Sequence, residues 1–282
     1  MKTGLILEGG AMRGMFTCGV IDVMMENGIE FDGAIGTSAG AAFGCNYKSK
    51  QIGRPYRYNV NYCKDKRYCS FQSLLKTGDL YNVEFCYKTV PYELDIFDEK
   101  TFRENPMEFY VTCTDIETGK AIHHKIDKGD CKDIEWIRAS ASMPLVSRIV
   151  EIDGYKLLDG GIADSIPIHF FESIGYNKNV VVLTQSKEYI KKKNKLLPLL
   201  RKVMKEYPNM LCALEKRHID YNATTKYIFN QEKLHNVFII YPKESLKIGS
   251  MEKNPEELSR VYQLGREAAL EKLDALKEYM KK

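Results

Sequence analysis

Twice within its first 46 residues the chain passes from a short apolar run, through a turn of small residues, into a helical stretch. Residues 4–7 (Gly-Leu-Ile-Leu) are continuously apolar, as in a strand buried on both faces. A glycine-rich turn over 9–14 follows, and 15–27 reads as a helix that places Phe16, Val20, Val23 and Met24 on one side and closes at Asn27-Gly28. The second unit runs from the apolar stretch 31–35 through Gly36-Thr37-Ser38-Ala39-Gly40 into a small-residue helix over 39–45. Repeated strand-to-helix units of this kind imply a mainly parallel sheet covered on both faces.

Further along, residues 108–115 alternate like a strand. Glu117-Thr118-Gly119-Lys120 reads as a turn, and 121–125 answers it, completing a hairpin. A helix is expected over 130–141, ending before Pro144. Residues 146–152 and 155–158 form a second hairpin around the two-residue turn Asp153-Gly154, leading directly into Asp159-Gly160-Gly161. Further buried strands are expected at 179–184 and 237–241. Long helices are expected at 189–205, 209–229 and 255–280, the last amphipathic. The stretch 47–106 is less regular. Lys48, Lys50, Arg54, Arg57, Lys64, Lys66 and Arg67 interleave there with tyrosines, and helical fragments are expected between 81 and 90.

Composition sets the outer bounds. At 282 residues, 44% hydrophobic and with 18 Tyr and 12 Phe, the chain can bury a core and is not a disordered one. A net charge of +4 does not by itself imply a polyanion partner, and nucleic acid is not expected as one. The 8 Cys form no C-x-x-C pair and no zinc spacing. An acid and two glycines follow the first apolar residues before a signal-peptide core could develop, and no apolar run approaches the roughly 18 residues of a membrane span. The expectation is a cytoplasmic chain with reduced thiols, no metal or cofactor, and a single domain over 1–282.

Three turns carry the candidate chemistry. Gly36-Thr37-Ser38-Ala39-Gly40 matches G-x-S-x-G, a sharp strand-to-helix turn that exposes a nucleophilic serine at a helix N-terminus. Glu8-Gly9-Gly10-Ala11-Met12-Arg13-Gly14 leaves a strand and enters a helix, so its backbone N–H groups can hold a phosphate or the oxyanion of an acyl-transfer intermediate. As a dinucleotide fingerprint it is imperfect, with Ala11 at the middle glycine, although Asp32 lies at about the distance of a ribose-binding acid. The third turn is Asp159-Gly160-Gly161. A serine nucleophile needs a base. His169 follows Asp159 in the order of a Ser, Asp, His triad, but its apolar setting favours a structural histidine. Asp159 can instead bond Ser38 directly, provided burial raises its pKa or the oxyanion site takes much of the load.

These turns, in this order and spacing, resemble those of the patatin-like phospholipases. Arg138-Ala139-Ser140-Ala141-Ser142-Met143-Pro144 and Asp164-Ser165-Ile166-Pro167 are similar to the segments flanking that family's acidic motif. The resemblance runs from residue 4 to about 184 and is densest over 4–45 and 108–170. It implies a three-layer α/β/α sandwich, a Ser–Asp dyad without histidine, a glycine-rich oxyanion hole and hydrolysis of lipid acyl esters. Carried over, Ser38 is the nucleophile and Asp159 the proton acceptor. Gly9, Gly10 and Ala11 supply oxyanion N–H groups, Arg13 and Gly14 close the loop, and Gly36, Gly40, Gly160 and Gly161 support the turns. Two positions depart from the family pattern. The loop opens with Glu8 where plant members carry Asp, and its third glycine is Ala11, which is strained if φ there is positive.

Two other readings stay open: a nucleotide- or phosphate-binding regulatory module built on the Gly9 to Gly14 loop, and an acyltransferase on the same fold. The implied partner is a lipid or fatty-acyl ester. The basic stretch 187–205, threaded with Leu196, Leu197, Leu199, Leu200, Val203 and Met204, can lie on an anionic membrane surface, or it can form a helix with a solvated basic face. The basic, Tyr-rich stretch 47–106 is expected to be an insertion near the site's mouth, and 185–282 a mainly helical C-terminal part with one further strand.

Overall fold

The computed structural model describes residues 1–281. Eight strands form one sheet: β1 (Lys2–Leu7), β2 (Gly33–Thr37), β3 (Glu108–Asp115), β4 (Ala121–Ile126), β5 (Val150–Ile152), β6 (Tyr155–Asp159), β7 (Tyr176–Val182) and β8 (Val237–Ile240). Neighbours β3, β2, β1, β7 and β8 pair in parallel. The two hairpins add antiparallel pairs at the β3 end. The helices are α1 (Gly14–Glu26), α2 (Ala39–Lys48), α3 (Arg54–Tyr62), α4 (Phe71–Thr77), α5 (Glu99–Glu104), α6 (Cys131–Ser140), α7 (Ile168–Ser173), α8 (Leu197–Val203), α9 (Pro208–Lys233) and α10 (Pro255–Lys281).

Alternation along β1 divides the core in two. Leu5 and Leu7 join one cluster with Phe16 of α1, Phe43 of α2, Trp136 of α6 and Val261 of α10. Ile6 joins another with Phe171 of α7 and Tyr221 and Ile228 of α9. The result is three layers, as the α/β/α expectation requires. On the first face α1 and α10 cross at Gly19 and Gly265. A Cβ on Gly19 would overlap the Tyr262 carbonyl, and one on Gly265 would overlap the Phe16 carbonyl.

Several boundaries differ from the sequence reading. The helix expected over 189–205 is confined to Leu197–Val203. Proline is tolerated only in a helix's first turn, which is where Pro198 sits. Upstream, Asn222 brackets the Lys191 backbone on both sides, accepting from its N–H at 2.8 Å and donating to its carbonyl at 3.0 Å. The strand expected over 146–152 begins only at Val150. Leu80 N–H takes the Val146 carbonyl, and Asp79 takes the backbone N–H and the guanidinium of Arg148. The turn after β5 is as expected, with Asp153 and Gly154 both at positive φ (52° and 81°). Within 47–106 the fragment near 81–90 is a π-helix over Phe85–Leu94 that passes through Pro91.

The basic residues of that stretch are largely spent internally. Lys48 is buried and donates to the Met107 carbonyl, and Arg54 is buried against the Asp95 carbonyl. Arg57 and Arg67 pair with Asp95 and Asp65. All eight cysteines are free thiols.

Candidate active site

Cys113 of β3 pairs with Ile122 of β4 and also with Asp159 of β6, so β4 and β6 occupy opposite edges of β3. The β6 edge is the one β2 has already used, up to Thr37 opposite Thr112. β2 and β6 therefore meet end to end, one running parallel to β3 and the other antiparallel. Their last residues deliver Ser38 and Asp159 to the same point. Ser38 Oγ donates to Asp159 Oδ2 at 2.6 Å.

Ser38 holds an unusual backbone, φ 56° and ψ −121°, as it leaves β2 and starts α2. Such conformations cost on the order of 1–3 kcal/mol and persist only where surroundings fix them. Here the Ser38 N–H donates to Ser140 Oγ at 2.9 Å, and that hydroxyl donates to the Thr112 carbonyl at 2.6 Å. The turn also needs small residues. A Cβ on Gly40 would overlap the Leu7 carbonyl, and one on Gly160 would overlap the Thr112 carbonyl.

Asp159 is 6% exposed, and its backbone and side chain are both anchored. Its N–H donates to the Ser142 carbonyl at 2.7 Å, its carbonyl accepts from Thr114 Oγ1 at 2.9 Å, and Oδ1 accepts the Gly161 N–H at 2.7 Å. Burial raises its pKa above the usual 3.8. The Ser38 hydroxyl, Arg217, the Gly161 N–H and Lys191 all pull the other way. The carboxyl is thus a stronger base than a solvated one while cations nearby still favour its ionised form.

The glycine-rich turn lies beside Ser38. Gly9 N–H points to the Ser165 carbonyl at 3.5 Å, and Arg13 N–H bonds the Gly10 carbonyl at 3.0 Å. Neither Gly10 nor Ala11 N–H has a protein acceptor among the described residues. Ala11 sits at φ 47°, the strained case anticipated for a non-glycine there. A Cβ on Gly14 would press on Phe43, so this glycine serves the packing of α1 against α2. Glu8 is buried, and the extra methylene relative to Asp is used to reach outward. One oxygen accepts the Thr184 N–H at 2.5 Å, the other the Tyr221 hydroxyl at 2.7 Å. A carboxylate so placed ties the turn to α9.

From Ser38 and Ala11 an apolar cleft of about 1130 Å³, part of it open to solvent, runs between α2, α6 and the 47–106 segment. Ala42, Phe43, Tyr58, Val90, Phe97 and Ile137 are among its walls. Residues of the 47–106 stretch thus form part of the cleft's wall.

Other candidates lie elsewhere. Asp32 accepts from the N–H and hydroxyl of Thr3 at 2.6 and 2.8 Å, at the opposite end of β1 from the glycine turn. That placement removes the acid from any nucleotide held by the turn. His169 is exposed beside Glu172, not a buried core histidine. His123 is half-buried, bonded to Thr112 Oγ1 at 3.2 Å and stacked on Phe170, and desolvation lowers its pKa to about 4. No histidine among the described residues hydrogen-bonds Ser38 or Asp159. No group of three or more His, Cys, Asp or Glu among them is placed to hold a metal.

Ser140, Tyr221, Lys191 and Arg217 were not singled out from sequence as site residues. Ser140 sits in a segment similar to one of the family's, whereas the other three carry no local signal.

Fold and site together define a three-layer α/β protein that presents a serine on a strained strand-to-helix turn against a buried carboxylate. The patatin-like phospholipase model matches residues 5–171, and the chain belongs to that family. A second model, a domain of unknown function (DUF6363), matches residues 207–281 and so covers Tyr221 and Arg217. The protein described as uncharacterized protein YjjU of Escherichia coli (strain K12) is 26% identical over 274 residues, covering 94% of this chain and 75% of that one. Lysophospholipase nte1 of Aspergillus niger is 29% identical over 187 residues, 62% of this chain but only 11% of its own length. A patatin-like phospholipase domain-containing protein of Caenorhabditis elegans is 25% identical over 177 residues, 61% of this chain and 13% of that one.

Proposed function

We propose that the chain is a serine acyl hydrolase acting on lipid esters through Ser38 and Asp159. The observation that carries this reading is the 2.6 Å hydrogen bond from Ser38 Oγ to a buried carboxylate whose pKa is raised. In the reaction Asp159 accepts the hydroxyl proton as Oγ attacks the ester carbonyl. The free N–H groups of Gly10 and Ala11, with Gly9 behind them, meet the oxyanion as it forms. Collapse expels the alcohol, which takes the proton from Asp159. Water then gives a proton to Asp159 and attacks the acyl-serine, and the fatty acid leaves as Ser38 recovers its proton. The apolar cleft suits an acyl chain, and a relative named as a lysophospholipase agrees with that substrate class.

The whole chain is read as one functional unit, because α9 contributes Tyr221 to the site's frame. Ile190, Leu196, Leu199 and Val203 are exposed among the lysines of 187–205, which supports contact with an anionic lipid surface. Sedimentation with anionic but not zwitterionic vesicles, weakened in Leu199→Glu, is the expected result. Equal sedimentation with both would remove this part of the reading.

The decisive experiment is labelling by a fluorophosphonate probe with hydrolysis of a nitrophenyl ester. Both should be present in the wild type and lost in Ser38→Ala. Equal labelling of the two proteins would overturn the nucleophile assignment.

A further inference from the structure

The apolar cleft that starts at Ser38 follows α2. Ser38 at the head of that helix, then Ala42 and Cys45, recur at the spacing of one helix face, and all three line the cleft. Ala42 sits midway and contributes only a methyl group to the wall.

Further along α2 the cleft meets Arg54 and Phe97. Arg54 is buried, and its donors are held in place. Nη1 donates to Asn46 Oδ1 at 2.9 Å, while Nε and Nη2 donate to the Asp95 carbonyl at 2.9 and 2.6 Å. The guanidinium lies over the rings of Tyr58 and Phe97 at 5.4 and 5.3 Å. Behind Phe97 the protein is solid: Phe97 packs on Phe102 at 5.6 Å between centroids, and Phe102 on Phe109 at 6.0 Å, all three buried.

Such a floor resists a longer occupant. A chain pushed past Arg54 would take the donor from Asn46 and Asp95 and leave a buried cation without its acceptors. The floor also has a measurable depth. A helix rises about 1.5 Å per residue, so Asn46 lies about 12 Å along α2 from Ser38, the reach of an extended acyl chain of about eight to ten carbons.

We propose that Cys45, Arg54 and Phe97 close the acyl site, so that the chain selects medium acyl groups, octanoyl and decanoyl, over longer ones, with Ala42 keeping the path to that floor open. This rests on the hydrolase reading for turnover, but not for the binding of a chain of limited length.

The test has two arms. In the first, kcat/KM is compared for nitrophenyl esters from butyrate to tetradecanoate, each below its micellar concentration. The wild type should gain about fourfold per methylene, the worth of burying one, until octanoate or decanoate, and then level off or decline. A climb that continues to tetradecanoate, or a flat profile, overturns the proposal. Ala42→Leu should move the break to shorter chains and cut the decanoate-to-butyrate ratio at least about tenfold, the worth of two methylenes. Phe97→Ala should move the break outward, to dodecanoate or beyond. Should Phe97→Ala fail to fold, Ala42→Leu alone decides. A loss shared equally by every ester in Ala42→Leu is the mark of a purely structural residue and overturns the assignment.

The second arm needs no turnover: calorimetric titration of Ser38→Ala protein with octanoate, decanoate and tetradecanoate. Tighter binding of the two shorter acids, weakened when Ala42→Leu is added, supports the site. Tighter binding of tetradecanoate, or no binding of any of the three, overturns it. If the wild type hydrolyses no ester and Ser38 takes no probe, the hydrolase reading fails, and the titration still decides the chain-length site.

Discussion

Ser38 and Asp159 are 121 residues apart, yet Thr37, the residue before Ser38, faces Thr112, and Asp159 faces Cys113, the next place along the same edge of β3. The sheet itself sets their separation. Neither side chain sits on a free loop: Ser38 directly follows a parallel strand, its N–H held by Ser140 Oγ, which bonds the Thr112 carbonyl of β3, and Asp159 ends an antiparallel strand, its carbonyl held by Thr114 Oγ1 of β3. A short hydrogen bond to a buried carboxylate is therefore a property of strand register, and small changes in the surrounding loops should leave it in place.

Asp159→Asn follows from this. The amide keeps an acceptor for the Gly161 N–H and fits the same space, so the fold should survive. The proton acceptor is lost, and turnover of a nitrophenyl ester should fall by about 100- to 10,000-fold, the usual span for a positioned general base. Near-wild-type activity in this variant, with activity lost in His169→Ala, would show that a histidine is the base.

Ionisation of Asp159 should also be visible in pH profiles. Its pKa is raised in the folded chain, so kcat/KM should climb with pH through a midpoint above 3.8. Stability moves oppositely. A folded state that holds this proton more tightly than the unfolded chain is favoured below 3.8 and loses that advantage as pH rises through the folded pKa. Asp159→Asn lacks this loss. Its stability relative to wild type should therefore increase between pH 4 and pH 8 in urea titrations, and a difference that stays flat or declines would contradict the raised pKa.

Ala11 offers a test of stored strain. At φ 47° an alanine carries a cost that glycine does not, offset in part by the greater freedom of glycine in the unfolded chain. Ala11→Gly should leave stability unchanged or raise it by up to about 1 kcal/mol, with esterase activity preserved. Ala11→Val should lose about 1–2 kcal/mol and most turnover, since a β-branched residue resists this conformation and the N–H must stay aimed at the oxyanion. Denaturant melts and ester kinetics on the two variants read both effects.

What the sequence made legible was mostly local. Glycines at 9, 10, 36, 40, 160 and 161 announce turns because nothing larger fits such backbones, and Asp153-Gly154 announces its hairpin for the same reason. Strands such as 4–7 and 180–183 were plain because a sheet covered on both faces needs uninterrupted apolar runs. What stayed hidden depends on distant partners. Glu8 gives no hint of Tyr221, 213 positions away. The apolar and basic periodicity of 189–205 reads as helix until Pro198 and the Asn222 bracket on Lys191 are seen. Arg217 looks like any basic residue on a polar helix, and only the fold sets it behind Asp159.

The α1–α10 crossing was equally silent, and it yields the most direct stability test. Gly19 and Gly265 let two helix backbones touch, so a methyl group at either meets a carbonyl oxygen and not a yielding side chain. Alanine would ordinarily favour a helix over glycine by roughly 1 kcal/mol. Here the gain should be outweighed, because the helices must part and the packing of Phe16, Val261 and Tyr262 between them must loosen. Gly265→Ala should therefore cost about 2–3 kcal/mol in urea melts. As α10 lies on the face opposite α9, the probe reactivity of Ser38 should persist in whatever fraction remains folded. A stabilised Gly265→Ala protein would mean that the two helices do not approach as closely as described.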